Sequence, residues 1–149
     1  MRVIADLHIH SKYSRSCSPE LTLENIAAGC EKKGIQVVST ADFTYPAWLE
    51  SIKSELVECG PGIFELKNKK SPTKFILGTE ISCIYKKGGA VRRVHHNIYL
   101  PSIAAIEKFI AALEKRGCNL RSDGRPIVGV QSKEILQILL DITDEAMLI

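Results

Sequence analysis

The sequence has no long hydrophobic run: no stretch of its 149 residues approaches the roughly 18 uninterrupted apolar residues of a transmembrane helix. Asp6 and His8 interrupt the short apolar opening, which therefore lacks the pattern of a secretory signal peptide. Repeats, linkers and low-complexity tracts are also missing. Apolar residues make up 45% of the chain, enough to offset chain entropy, which excludes disorder. We therefore expect one domain over residues 1–149 that does not associate with membranes.

Closely spaced cysteine pairs are missing as well. The five cysteines are widely spread and never arranged as C-x-x-C, which argues against a zinc knuckle. With no export signal, we expect a cytoplasmic protein in which they are reduced thiols and small core residues. They are Cys17, Cys30, Cys59, Cys83 and Cys118.

Acidic residues are almost absent from one long segment of the chain. Residues 67–93 contain eight basic residues and one acid, Glu80, and so carry a net charge of +7, whereas the whole chain carries +3. Such a skew can mark a face that binds a polyanion. Two solvated loops that happen to be basic would give the same pattern, and charge alone does not separate these interpretations.

Segments with helical and strand periodicity alternate along the chain. Helices are predicted to start at Thr22, Pro46, Ser102 and Ser132, and the second is expected to continue to a turn at residues 60–62. Predicted strands cover residues 2–5, 35–39, 63–66, 75–83, 91–100 and 127–130, and another begins at residue 146. Two glycines at residues 88 and 89 predict a hairpin. The pattern predicts an α/β fold with a largely parallel sheet or barrel and its chemistry at the carboxyl ends of the strands.

Polar side chains recur where these predicted strands end. Asp6, His8 and His10 alternate with apolar residues, so on a strand they would share one face. A single H-x-H pattern is weak, because a lone histidine on a strand is usually a surface or hydrogen-bonded core residue. The same placement recurs on other strands, which favours a divalent metal site over coincidence. The candidate ligands are His8, His10, Asp42, Glu80 and His95.

Residues 5–11, with the sequence ADLHIHS, resemble the first motif of the PHP (polymerase and histidinol phosphatase) superfamily of metal-dependent phosphoesterases. Residues 2–15, 42–44, 88–95 and 120–127 more closely resemble the endonuclease Q family of DNA-repair nucleases. The resemblance covers essentially the whole chain. It implies the N-terminal portion of a PHP-type distorted (β/α)7 barrel with an inserted β-hairpin.

The resemblance also implies roles for individual residues. His8, His10 and His95 would be metal ligands, and Glu80 would be a catalytic carboxylate that bridges metal ions. Asp42, a further predicted ligand and catalytic residue, stands where the superfamily usually has an Asp-His pair, although here a phenylalanine follows it. The implied cofactors are two or three divalent ions, with zinc or manganese favoured by the ligand types and magnesium possible.

The implied function is that of a DNA-repair endonuclease, which hydrolyses phosphodiesters near deaminated bases or abasic sites in duplex or single-stranded DNA. A DNA partner would account for the basic segment, because backbone phosphates supply much of the binding affinity. Residues 122–125 are compatible both with a DNA-contacting loop and with a turn ordered by Asp123. The predicted nucleic-acid contacts are Lys86, Lys87, Arg92, Arg93, Arg121 and Arg125.

The chain is short for this resemblance. A PHP barrel uses about seven strand–helix units, and at roughly 30 residues for each βαβ unit it needs a longer chain. The Pro-Ala-His stretch and the late Asp-x-His pair of the family are also missing. We therefore expect an incomplete PHP domain that is weakly active or inactive alone and that can self-associate through an open sheet edge. Two alternatives stay open: a PHP phosphatase acting on a small phosphate monoester, and a non-catalytic fragment that binds metal or nucleic acid.

Overall fold

A computed structural model describes residues 2–149 and contains four helices and eight strands over that range. The helices are α1 (Leu23–Lys33), α2 (Pro46–Glu55), α3 (Ile103–Glu114) and α4 (Ser132–Ile142). The strands are β1 (Ala5–Asp6), β2 (Val37–Ser39), β3 (Leu56–Gly60), β4 (Ile63–Leu66), β5 (Lys74–Lys87), β6 (Ala90–Leu100), β7 (Ile127–Val128) and β8 (Met147–Leu148). The predicted mixture of helices and strands is confirmed. None of these helices is long and apolar enough to cross a membrane.

Side-chain caps begin two of the helices where the sequence predicts them. The Asn25 backbone amide donates to Thr22 Oγ1 at 3.3 Å, and the Ala105 amide donates to Ser102 Oγ at 3.2 Å. Each bond satisfies a donor that the first helical turn would otherwise leave free. In α4, by contrast, the predicted cap Ser132 is already helical and the preceding residue, Gln131, is the cap.

The predicted second helix is too long, because residues 56–60 form strand β3 instead. Leu56 pairs with Leu66 and Val57 with Glu65 in an antiparallel hairpin with β4. Leu56 is buried in this strand, and an apolar residue four positions after Ile52 also fits the buried face of a helix, so the spacing did not distinguish the two. β-Branched Val57 favours the strand, and the turn at residues 61–62 returns the chain to pair with it.

Strand β5 is the centre of the sheet. Near its start it pairs with β2 and β4, and from Leu77 onward it pairs with β6 and, at Ser82 and Cys83, with β7. The predicted largely parallel sheet is wrong. Four pairings are antiparallel (β3–β4, β4–β5, β5–β6 and β6–β8), and three are parallel (β1–β2, β2–β5 and β5–β7), within residues 2–149. Short connections such as those in the two hairpins allow only antiparallel pairing.

The described strands do not confirm the predicted barrel. The main path runs β1-β2-β5-β4-β3, and β1 pairs only with β2 among residues 2–149. β3 pairs only with β4 and forms one open edge of the described sheet, and the free side of β1 forms another. Self-association through that edge and the assignment of residues 1–149 as an incomplete PHP domain stay predictions.

The core is a contiguous hydrophobic cluster between the sheet and the helices. Trp48 lies within it, and its indole Nε1 donates to the carbonyl oxygens of Thr40 and Ala41 at 2.9 Å each. Ala41 and Asp42 have φ angles of 55° and 46°, in a region that non-glycine residues rarely adopt. The tryptophan thus holds a strained segment at the end of β2, which leads into the candidate site.

The cysteines are free thiols, and only some of them lie in the core. Cys30 and Cys83 are buried, and burial raises the pKa of Cys83 to about 11, which makes it a poor nucleophile at neutral pH. Cys59 is exposed in β3, so the prediction of a core position is wrong for that residue.

Gly78 in β5 is predicted to be required for sheet packing. A Cβ atom at this position would lie 2.1 Å from Ser39 Oγ and 3.0 Å from the Tyr99 ring. We expect Gly78→Ala to lower the free energy of unfolding by about 1–3 kcal/mol, because the core must shift to admit the methyl group.

Urea unfolding followed by circular dichroism measures this difference. The matched control is Gly29→Ala inside α1, where a Cβ meets nothing within 4 Å. That change should raise stability by about 0.5–1 kcal/mol, because alanine is the better helix former. Equal stability of Gly78→Ala and the unsubstituted protein would contradict the packing described.

Candidate metal centre

The candidate metal centre is built around the carboxylate of Glu80, which is 3% exposed in the middle of β5. Its Oε2 atom lies 3.0 Å from His8 Nε2 and 3.1 Å from His10 Nε2. Its Oε1 atom lies 2.6 Å from Nδ1 of His95 on the neighbouring strand β6. The two oxygens therefore face two different sets of imidazole nitrogens.

The surroundings of Glu80 keep its carboxylate charged. Burial alone raises the pKa of Glu80, but the hydrogen bond to His8 and the positive charge of Arg125 lower the pKa overall. The Arg125 guanidinium lies 3.7 Å from Oε2. A buried, ionised carboxylate with imidazole neighbours is a donor arrangement suited to a divalent cation.

His8 and His10 reach this carboxylate from a segment just beyond β1. That strand ends at Asp6, so the two histidines do not lie on a strand as the alternating pattern predicted. The Tyr99 hydroxyl donates to the Leu7 carbonyl oxygen at 2.7 Å and ties the segment to β6. The His8 and His10 rings meet edge to face with centroids 5.7 Å apart, and both direct Nε2 at Glu80.

Asp42 is fully buried behind His10 and contacts the ring on the side away from Glu80. Its Oδ1 atom lies 3.1 Å from His10 Nδ1. Its Oδ2 atom accepts from the Ser11 amide and hydroxyl, both at 2.7 Å, and from the Ser14 hydroxyl at 2.9 Å. Asp42 therefore orients His10, and direct ligation by Asp42 stays a prediction.

The contact between Asp42 and His10 changes the protonation of both groups. Burial raises the pKa of Asp42, but the hydrogen bonds from His10 and Ser11 lower the pKa overall. The same hydrogen bond to Asp42 raises the pKa of His10. A neutral His10 that donates from Nδ1 to Asp42 has its lone pair on Nε2, the atom that faces Glu80.

The residues that can hold a metal ion form a tight group. One donor atom from each of His8, His10 and Glu80 lies within 4.8 Å of the others. His95 approaches the same carboxylate through its other oxygen. The structure therefore brings together the predicted ligands His8, His10, Glu80 and His95. Their roles as ligands stay predictions.

Several site residues were not predicted as functional from the sequence. Ser11 and Ser14 hold Asp42, and Gly124 packs so closely that a Cβ there would lie 2.6 Å from both Asp42 Oδ2 and Ser14 Oγ. Ser11 lies inside the ADLHIHS motif, and that position is the sequence signal that could have identified it as a site residue. No local pattern in the sequence indicates the contact with Gly124.

The loop at residues 122–125 is ordered by Asp123, as the turn interpretation predicts. Asp123 accepts from the backbone amides of Arg15 and Arg125 at 3.3 and 2.9 Å. The turn also places the Arg125 side chain beside Glu80, so both interpretations of this loop remain compatible with the structure.

A cavity of about 490 Å³ lies between this loop and the hairpin, lined by Arg15, Ser82, Ile84, His95, Ser122, Asp123, Arg125 and Ile127. Arg121, a predicted DNA contact, is not part of this lining.

The basic segment divides into two parts with different surroundings. Lys69 pairs with Glu24 at 2.7 Å, and Lys74 pairs with Glu65. Lys67 donates to the carbonyl oxygens of Lys53 and Ser54 at the end of α2. These lysines make local polar contacts, whereas the four cations of the β5–β6 hairpin have no carboxylate within 4.0 Å among residues 2–149 and are exposed. The solvated-loop interpretation therefore fits residues 67–74.

The fold that contains this site is similar to two solved endonuclease structures. The lesion-specific endonuclease PfuEndoQ from Pyrococcus furiosus superposes with a TM-score of 0.82 at 29% identity, over 98% of this chain and 33% of that chain. Endonuclease Q in complex with a 27-mer duplex substrate, which has an abasic lesion at the active site, gives the same TM-score and identity over 34% of its chain.

The sequence comparisons agree with this partial coverage. An uncharacterized protein of Methanocaldococcus jannaschii is 34% identical over 137 residues, which are 92% of this chain and 15% of that protein. No family model matches the sequence. The chain thus spans about a third of the similar endonuclease structures and a smaller part of the curated relative.

Replacement of Asp42 by asparagine is predicted to weaken metal binding without loss of the fold. Three donors surround Oδ2, so the amide oxygen should take that position and the NH2 group should face His10 Nδ1. His10 would then have its proton on Nε2, facing Glu80. We expect zinc or manganese affinity, measured by isothermal titration calorimetry, to fall about 10- to 100-fold.

The control is Asp123→Asn, the same chemical change at a carboxylate that accepts backbone amides and contacts no histidine. It should leave metal affinity within about twofold of the unsubstituted protein. Similar losses in both variants would show that Asp42 does not act through His10.

Proposed function

We propose that this chain forms the metal-binding part of a DNA-repair endonuclease of the PHP superfamily and the endonuclease Q type. The proposed reaction is hydrolysis of a phosphodiester near a deaminated base or an abasic site, in duplex or single-stranded DNA. The observation that carries the proposal is Glu80, whose two oxygens face His8 and His10 on one side and His95 on the other. The structural similarity to two endonuclease Q chains supports it.

In this proposal the Glu80 carboxylate would hold divalent cations together with His8, His10 and His95. His8 and His10 approach one carboxylate oxygen and His95 approaches the other, so both oxygens are available as donors. Imidazole and carboxylate donors suit zinc or manganese better than magnesium, which prefers oxygen ligands. When bound, such ions lower the pKa of a coordinated water and offset negative charge on a phosphoryl group.

The chain's own residues have distinct proposed roles. Asp42 keeps the His10 ring in place through Nδ1, and Arg125 lies where its guanidinium can contact a phosphate oxygen beside Glu80. His8 and His95 are about half exposed, so a substrate phosphate can approach them from solvent. The 490 Å³ cavity that contains His95 and Arg125 is the proposed approach route.

The cations around this cavity favour a nucleic acid over a small phosphate monoester. Arg15 and Arg125 line it, and the exposed cations of the hairpin extend beyond it. A small substrate would need no basic surface outside the site, whereas backbone phosphates on either side of a scissile bond would use one.

The cytoplasmic location, self-association and the incomplete PHP domain over residues 1–149 are further parts of the proposal.

Glu80→Gln is predicted to abolish hydrolysis while DNA binding is retained. With manganese or zinc, we expect the unsubstituted chain to bind a labelled duplex that carries one abasic site and to nick the damaged strand slowly. The glutamine variant should lose nicking on the order of 100-fold or more, because a neutral amide cannot balance the charge of bound cations. Gel electrophoresis of the labelled strand measures nicking, and fluorescence anisotropy measures binding.

The control is Glu58→Gln, the same substitution at an exposed β3 carboxylate that accepts from the Gly62 amide. It should nick like the unsubstituted chain. Nicking that persists in Glu80→Gln or in EDTA would contradict the proposed metal centre. Hydrolysis of p-nitrophenyl phosphate without DNA binding would favour the phosphatase alternative, and binding without any nicking would favour the non-catalytic one.

A further inference from the structure

We propose that one face of the β5–β6 hairpin, which we term the site face, guides the DNA backbone to the metal centre through Lys86 and Arg93. Lys87 and Arg92 lie on the opposite face and do not contact DNA in this proposal. The inference rests on the proposed function, since it assigns a binding surface to the same site. From the sequence, all four cations are predicted to contact DNA, whereas here two of them are assigned to DNA and two are not.

The hairpin register separates the four cations. Cross-strand pairing continues without a shift from Leu77 opposite Leu100 to Lys87 opposite Ala90, and a two-residue turn closes it with Gly88 and Gly89 at φ of 59° and 75°. Side chains alternate between faces along each strand, and directly paired residues share a face. The site face therefore contains Glu80, Ser82, Ile84 and Lys86 of β5 and Asn97, His95, Arg93 and Val91 of β6.

The contact between Glu80 and His95 confirms which face leads to the metal centre. Glu80 pairs with Asn97, and His95 pairs with Ser82 two positions along the ladder on the same face, where the Glu80 and His95 side chains meet at 2.6 Å. Arg93 is two residues from His95 toward the hairpin tip, about 7 Å away along the strand. Lys86, opposite Val91, lies two cross-strand pairs beyond Arg93 toward the tip. Two exposed cations thus extend in line from the metal centre on a single face.

The cavity beside the metal centre opens along the same face. Its hairpin residues are Ser82, Ile84 and His95, and all three belong to the site face. Arg15 and Arg125 form the other wall. The cavity therefore extends from His95 and Ser82 toward Ile84, which pairs directly with Arg93.

Charge on this face is not cancelled by nearby acids. Lys86, Arg93 and Arg15 have no carboxylate within 4.0 Å among residues 2–149, unlike Lys69 and Lys74 of the neighbouring loop. Asp123, the acid in the cavity lining, already accepts two backbone amides. A row of unpaired cations next to a metal centre fits a polyanion that continues past the reacting phosphate.

The opposite face packs on the protein instead. Tyr85 belongs to it, and its hydroxyl lies 3.4 Å from Ser132 Oγ at the start of α4. Arg92 pairs directly with Tyr85 and therefore projects on the side of α4. Lys87 is two residues beyond Tyr85 on the same face, and a backbone passing through the metal centre would have to cross the hairpin to reach it.

Two double variants test the inference with the same loss of charge in the same hairpin. One is Lys86→Ala with Arg93→Ala, and the other is Lys87→Ala with Arg92→Ala. Anisotropy titrations with a fluorescein-labelled duplex carrying one abasic site, at several salt concentrations, give the slope of log K against log salt. The site-face variant should lose about 1.8 of that slope, because each phosphate contact on a duplex contributes about 0.9.

The opposite-face variant should keep the slope of the unsubstituted chain, and thermal melting checks that both variants are folded. Equal losses in the two variants, or a larger loss in the opposite-face variant, would overturn the inference and leave the proposed function intact. An unsubstituted chain whose binding showed no salt dependence would overturn the proposed function itself. The two failures are therefore distinguishable in one set of titrations.

Discussion

The buried charge of Glu80 is the constraint on which the rest of the site depends. A carboxylate at 3% exposure is costly unless hydrogen bonds and positive charge surround it. Here the partners come from three regions of the chain: the segment after β1, strand β6 and the loop at residues 122–125. Each must be held in place for Glu80 to remain ionised, so the fold around β5 and the chemistry of the site are coupled.

Strand β5 brings these regions together because it pairs on both sides along its length. Its first residues pair with β2, which is followed by the strained segment that contains Asp42. Its later residues pair with β6, which contributes His95, and with β7, which follows the loop of Arg125. A shift of one residue in this register would turn Glu80 away from the histidines.

The distribution of charge shows how packing refines a compositional signal. The net +7 of residues 67–93 is compatible with a polyanion-binding surface, but the lysines at 67, 69 and 74 have local partners. The four cations of the hairpin have no such partners, and the strand register assigns them to opposite faces. Composition cannot show the local pairing of lysines or the division of cations between two faces, because each depends on which residues become neighbours in space.

Residue type and local pattern were sufficient to predict the α/β class, the helix starts at Thr22 and Ser102, and the hairpin turn. They were also sufficient to predict that four site residues lie close together, namely His8, His10, Glu80 and His95. Capping, turn formation and donor chemistry are local or intrinsic properties, and a sequence displays them directly. The tertiary structure alone decided that antiparallel pairings outnumber parallel ones, that residues 56–60 form a strand, and that Asp42 contacts His10 from behind. These outcomes depend on contacts such as Asp42 with His10, 32 residues apart, which are set by packing of the whole sheet and not by any local pattern.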